Sequence, residues 1–181
     1  MMPVDKIIQE IAAVLNTPDS ADVLEEIQDR AELISHKLKF VENRPAVVCL
    51  EALEPITIAG YLVPDLVTVA GGITVITDPG QVVNIISWED LRLQDPDILV
   101  VMAEGFSIER TLRAMDILLQ QPGFGDLKSV KNKRLYIADG ENYFYQTNPH
   151  LIEAIEILAE IIYPKQFIFG HEGEGWIKFD V

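Results

Sequence analysis

The sequence predicts an α/β fold: a three-layer α/β/α domain with a mainly parallel sheet of about four to five strands, preceded by a long N-terminal helix. Three observations carry this prediction. Short apolar runs at 46–50 and 98–102, and the strand-like "RLYIAD" at 134–139, are the pattern of strands buried on both faces. Segments with apolar residues at helical spacing alternate with them, as parallel strands joined by crossover helices require. Apolar residues make up 49% of the 181-residue chain, and a chain of this size can bury roughly 70% of its unfolded surface.

The elements follow in order. Ile7, Ile8, Ile11, Val14 and Leu15 recur at helical spacing over 4–15. "NTPDS" then interrupts, with Thr17 as N-cap, Pro18 at the first helical position and Asp19 in the acid-favouring first turn. The second helix is predicted over about 18–41, with a stripe of Val23 or Leu24, Ile27, Ala31, Ile34 and Leu38. At ~1.5 Å per residue it would span about 35 Å, the width of a small lobe. "AVVCL" (46–50) is a strand. "EPITIAGYLVPDLVTVAGG" reads as two short helices separated at Pro64 and ended by Gly71-Gly72. "ITVI" (73–76) is a weak strand and "TDPGQVVN" a loop. Ser87 caps the helix "SWEDLRLQD", with Asp90 at nearly the capping-box spacing.

The strand at 98–102 leads through the loop 103–106 to Ser107, the cap of "SIERTLRAMDILLQQ", whose face carries Ile108, Leu112, Met115 and Leu119. "PGFGD" is a turn, "RLYIAD" (134–139) a strand, and "GENYFYQTN" a polar-aromatic loop. Asn148 and Pro149 start the last helix, with Leu151, Ile155, Leu158 and Ile162 on one face. The tail "KQFIFGHEGEGWIKFDV" shows no period that places it.

Charge and composition exclude several classes of function. A net charge of −15 repels phosphate backbones, so no nucleic-acid partner is expected. No apolar run approaches ~18 residues, so nothing spans a bilayer as a helix. "MMPVDKIIQE" has an acid, Asp5, where an export signal carries positive charge, and it lacks a long apolar core. Cys49 is the single cysteine, which excludes a disulfide or a multi-thiolate metal site within one chain. It reads as a small buried hydrophobe. His36, His150 and His171 are scattered, and although "HEGEG" brings His171, Glu172 and Glu174 together, a solvated charged tail is the better reading. There is no Walker-type loop, no G-x-G-x-x-G and no G-x-S-x-G elbow.

The residues with chemical character gather at strand exits, where open α/β sheets hold their ligands. Glu51, Ala52 and Leu53 follow the first strand; Glu104, Gly105 and Phe106 follow the second; Tyr143, Phe144 and Tyr145 follow the third. Parallel strands would place all three loops on one rim. Gly105 permits close backbone approach, or simply turns the chain into the Ser107 cap. The rings supply flat apolar area, unless one or two pack beneath the loop. No nucleophile is paired with a base, so a binding rim is expected and not an enzyme.

The frame "RPAVVCLEALEPITIAGYLVPDLVTVAGG", "ISWEDLRLQDPDILVVMAEGFSIERTL" and "PGFGDLKSVKNKRLYIADGENYFYQTNPHLIEAIEILAEIIYP" resembles the C-terminal lobe of the substrate-binding proteins of ABC importers for cobalamin and iron–siderophore complexes. The cobalamin-binding-protein-like branch is nearest, and the likeness runs from about residue 4 to 168. It implies N-terminal helices over 1–43, including the backbone helix that joins two lobes, a C-terminal lobe over 44–168 of periplasmic-binding-protein-like fold, and a tail over 169–181. It also implies a ligand in a cleft between lobes, cobalamin or a ferric siderophore, held by Glu51 to Leu53, Glu104 to Phe106 and Tyr143 to Tyr145. Glu89, in "ISWEDL", matches the acid with which such lobes dock on arginines of the membrane permease. The residue's other reading is a carboxylate complementing the helix dipole.

Two positions depart from the cobalamin pattern: "GQVVNI" stands where a Trp is often presented, and Ala52 stands where an aromatic is usual. Family resemblance implies an extracytoplasmic location; a complete natural product lacking an export signal would be cytoplasmic. A single lobe is expected either as part of a two-lobe receptor or as a cytoplasmic interaction or regulatory domain. The latter would form a homodimer through its N-terminal helices or its rim.

Overall fold

A computed structural model describes residues 20–75, 84–145 and 150–181. The helix predicted over 4–15, the Thr17 cap and the Asn148–Pro149 start of the last helix lie outside these residues. Seven strands form one mixed sheet: β1 (Ala46–Leu53), β2 (Ile56–Ile58), β3 (Ile73–Thr74), β4 (Asn84–Ile85), β5 (Ile98–Val101), β6 (Leu135–Ala138) and β7 (Trp176–Lys178). The order is β4-β2-β1-β5-β6-β7, with β3 also paired to β1. β1 runs parallel to β3 and β5, and β5 parallel to β6, whereas β2 is antiparallel to β1, β4 to β2 and β7 to β6.

The central strands place alternate residues on opposite faces, as the pleat requires. Val47, Cys49, Ile98, Val100, Met102, Tyr136 and Ala138 face one core. The helices Ser20–Lys37, Val63–Val69 and Leu151–Ile162 close it. Val48, Leu50, Leu99, Val101, Leu135 and Ile137 face the other, closed by Leu91, Met115, Leu118, Phe124 and Leu127 from the helices and turns after β4 and β5. This gives three layers.

Of the stripe expected of the long helix, Ile27, Ala31 and Ile34 are fully buried and Leu38, just past its end, nearly so; Val23 and Leu24 lie outside the side chains described. Its regular portion ends at Lys37, followed by a turn. The last helix is buried almost all round, including Glu156 and Glu160. It is wedged between the sheet, the long helix and the tail.

Four expectations are corrected. The first of the two short helices predicted after Glu54 is instead the strand β2, which turns back on β1 through a cis Glu54–Pro55 bond. Its β-branched "ITI" run suits a pleated, buried position, and Pro64 sits in the first turn of the following helix rather than between two. Asn84, expected in a loop, pairs with Ile58 in β4. The helix capped by Ser107 is broken into Ile108–Ala114 and Asp116–Leu119. Met115 is buried and Ile108 packs against the core as expected, but Thr111 and Leu118 take the buried places next to the expected Leu112 and Leu119, which are exposed at 38% and 36%. The unplaced tail supplies β7, antiparallel to β6.

Candidate functional site at the strand exits

β1, β5 and β6 end side by side. Val47 to Leu50 pair in register with Ile98 to Val101, and Leu99 to Val101 with Leu135 to Ile137. Backbone bonds carry the alignment past the strands: Met102 N donates to Leu50 O at 2.9 Å, and Glu104 N to Glu51 O at 2.9 Å. The third exit is tied in by Glu141 N, which donates to Phe106 O at 3.1 Å. Gly140 makes this approach possible, since a Cβ there would stand 2.1 Å from the Ala103 carbonyl oxygen.

Glu51 sits at a register shift of the β1–β2 pairing, between Leu50 and Ala52. A bulge re-aims the side chain of its extra residue, and the Glu51 carboxylate accepts the Gly60 N–H at 3.2 Å, beside the start of the Val63–Val69 helix. Burial raises the Glu51 carboxyl above the usual range; the Gly60 bond partly opposes this, and the charge of Glu104 adds to it. Ala52 is half-buried, and Leu53 is buried in the core, paired with Ile56.

Glu104 and Gly105 are exposed at the tip of a turn closed by Phe106 N donating to Ala103 O at 3.0 Å. Gly105 has φ +67° with open space where a Cβ would stand, so it is a left-handed turn residue that also leaves the backbone accessible. Phe106 is half-buried and carries the Arg110 guanidinium 3.8 Å above its ring. Ser107 accepts Arg110 N and so begins the helix that holds Arg110 there.

The three aromatics after β6 take different places. Asp139 accepts Glu141 N at 2.9 Å, Asn142 N at 3.0 Å and Asn142 Nδ2 at 2.8 Å, winding Gly140–Phe144 into a single wide turn. Phe144 is buried beneath it. Tyr145 packs against the core that includes Cys49, and its hydroxyl has no hydrogen-bond partner among the described residues. Burial pushes that phenol far up, helped by the charges of Glu51, Cys49 and Glu104. Tyr143 leans away towards the tail, edge-on to His150 at 5.6 Å and His171 at 6.5 Å. Its phenol is raised by burial, then by the charges of Glu174, Asp139 and Glu153.

Glu89 is exposed in the first turn of Trp88–Gln94, the helix that follows β4, and is paired with Arg92 at 3.1 Å. Ser87 and Asp90 form the capping box that starts this helix. Sequence reasoning missed Gly60 and Arg110 as parts of the rim. Arg110, four residues after Phe106 and one turn into a capped helix, carried a signal; Gly60 carried none, because its role depends on the β2 turn. Among the described residues no group of three or more His, Cys, Asp or Glu side chains is placed to hold a metal ion. His171 is instead bonded to Glu156 at 2.8 Å. No helix among the described residues is long and apolar enough to cross a membrane.

Comparison with known proteins adds a family. Several solved structures share the fold. Staphylococcus aureus IsdE complexed with heme matches at 19% identity and TM-score 0.71, over 88% of this chain and 65% of that one. An ABC transporter substrate-binding protein from Listeria monocytogenes matches at 19% and 0.70, over 90% and 64%. A protein of an ABC-type Fe3+-hydroxamate transport system from Saccharomonospora viridis matches at 19% and 0.66, over 88% and 56%. The chain thus spans about half to two thirds of the length of such structures. None of the curated proteins compared matches it. The family model described as periplasmic binding protein matches residues 3–141, which takes in the exits of β1 and β5 and stops just short of Tyr143. Matched over most of its length, the chain belongs to the periplasmic binding protein family.

Proposed function

We propose that this chain is a ligand-binding lobe of the receptor of an ABC importer, and that its ligand is a bulky metal chelate of the cobalamin or ferric-siderophore kind. The family is one of substrate-binding proteins that work with ABC permeases outside the cytoplasm. The observation that carries the reading is the parallel register of β1, β5 and β6, because it gathers Glu51, Glu104 to Phe106 and Tyr145 at one edge of the sheet. A flat ring backed by a guanidinium, an open glycine and two acids make a surface that grips a large ligand. Two structural neighbours, one complexed with haem and one from an Fe3+-hydroxamate transport system, support a chelate.

A fluorescence titration with cyanocobalamin, a ferric hydroxamate and haem tests this. Quenching that saturates with one chelate and is lost in Phe106→Ala is the expected result; no saturable response to any of them refutes the reading. One lobe supplies half a cleft, so affinity in the micromolar range or weaker is expected, about −8 kcal/mol or less in magnitude. Glu89 is proposed as the permease-docking acid, its exposed carboxylate suited to a guanidinium. Glu89→Ala should preserve the fold and chelate binding while weakening association with the permease. A dimeric single-lobe regulatory domain remains the other reading; it draws on the apolar stripe of 7–15, which lies outside the described residues.

A further inference from the structure

Three distant parts of the chain meet on one carboxylate. Glu156, on the last helix, holds Arg30 Nη1 of the long helix at 3.2 Å on one oxygen and His171 Nε2 of the tail at 2.8 Å on the other. The side chain of Glu156 is only 9% exposed, so the carboxylate that both partners share is held away from water. One turn further along the same helix, buried Glu160 accepts the backbone N–H groups of Phe169, Gly170 and His171 and the indole N–H of Trp176. The segment 169–176 is therefore strapped to the last helix by two acids. The ring of His171 meets Tyr143 edge-on, and Tyr143 belongs to the turn after β6 that is bonded through Glu141 to Phe106.

We propose that Arg30, Glu156, His171 and Tyr143 form a mechanical tie that couples the long helix to the β6 exit turn, with residues 169–176 as its strap. The reason is sharing. A buried carboxylate that loses one of two partners is left under-satisfied; it must turn towards water or re-bond, and either movement loosens its grip on the other partner. His171 then no longer has a fixed position against Tyr143. A change in the setting of the long helix is thereby felt at the strand exits by a route that bypasses the sheet. The proposal does not depend on the ligand reading.

Amide hydrogen exchange on the full chain tests it. Arg30 is 43% exposed at its side chain, so Arg30→Ala is expected to fold. It should speed exchange about fivefold or more in both 169–176 and 140–145, although the ion pair that is lost is to Glu156 on the last helix. His171→Phe keeps a ring beside Tyr143 but releases Glu156, and should speed exchange in the long helix around Arg30. The double variant should be no looser than the looser single one, since both break the same tie. Faster exchange confined to the segment carrying each substitution, or additive effects in the double variant, would overturn the coupling.

Discussion

The indole N–H of Trp176 donates to the carboxylate of Glu160 at 2.7 Å, with both side chains buried. That bond ties the last strand of the sheet to the last helix, and Glu160 accepts three backbone N–H groups beside it. Removing the acceptor strands the buried indole N–H, a loss of about 1–3 kcal/mol for one unsatisfied donor, and frees three part-buried backbone N–H groups as well. Glu160→Ala should therefore lower unfolding free energy by about 3 kcal/mol or more in urea titrations. Glu160→Gln, which retains one oxygen acceptor, should lose less. Equal and small losses would remove Glu160 from this role.

Cys49 should be chemically silent in the native protein. It is buried in β1, and burial pushes its thiol up to about 12, so the nucleophilic thiolate is scarce at neutral pH. An aromatic disulfide reagent at pH 8 is expected to leave the folded chain unlabelled over hours and to label it within minutes in denaturant. Rapid native labelling would contradict the burial.

Glu51 predicts a pH effect of definite sign. Its carboxyl is raised in the fold by burial and by Glu104, against the Gly60 bond. A raised acid favours folding below its unfolded value, about 4.3, and that contribution is lost as pH rises through the folded value. At pH 7 the charged form opposes folding, so Glu51→Gln should raise Tm there, with the gap closing as pH falls towards about 4. A gap that widens on acidification would reverse the assigned cause.

Gly140 and Gly105 should differ sharply when changed to Ala. At Gly140 the new Cβ would collide with the Ala103 carbonyl, a backbone atom that cannot step aside. A loss of about 2–4 kcal/mol is expected, with the β5 and β6 exits forced apart. At Gly105 nothing lies within 4 Å and only the φ of +67° is strained, so about 1–2 kcal/mol is expected. Chemical denaturation of the two variants compares them directly.

The legible parts of this protein were those written in local periodicity. Ile27, Ala31, Ile34 and Leu38 announce a buried helix face, and the runs containing Val47 to Leu50, Ile98 to Val101 and Leu135 to Ala138 announce strands covered on both sides. Ser87 and Ser107 announce helix starts. The strand exits followed from these once the strands were taken as parallel, and so did the neighbourhood of Glu51, Glu104 and Tyr145. Phe144 and Tyr145 look alike in sequence, yet one is buried beneath the turn and the other has its hydroxyl near the exits.

Spacing along the chain therefore determined the elements and their buried faces, because periods of two and 3.6 residues are set by neighbours, and the alternation of strands with helices implied parallel central strands and one edge for their exit loops. Folding in three dimensions settled what depends on partners far apart in sequence: β2 turning back on β1, Gly140 pressed against Ala103, and Trp176 reaching Glu160. A three-residue strand such as β7 has too few residues to show a period. Its identity comes from the edge of β6 that it covers and from the buried acid that holds its first side chain.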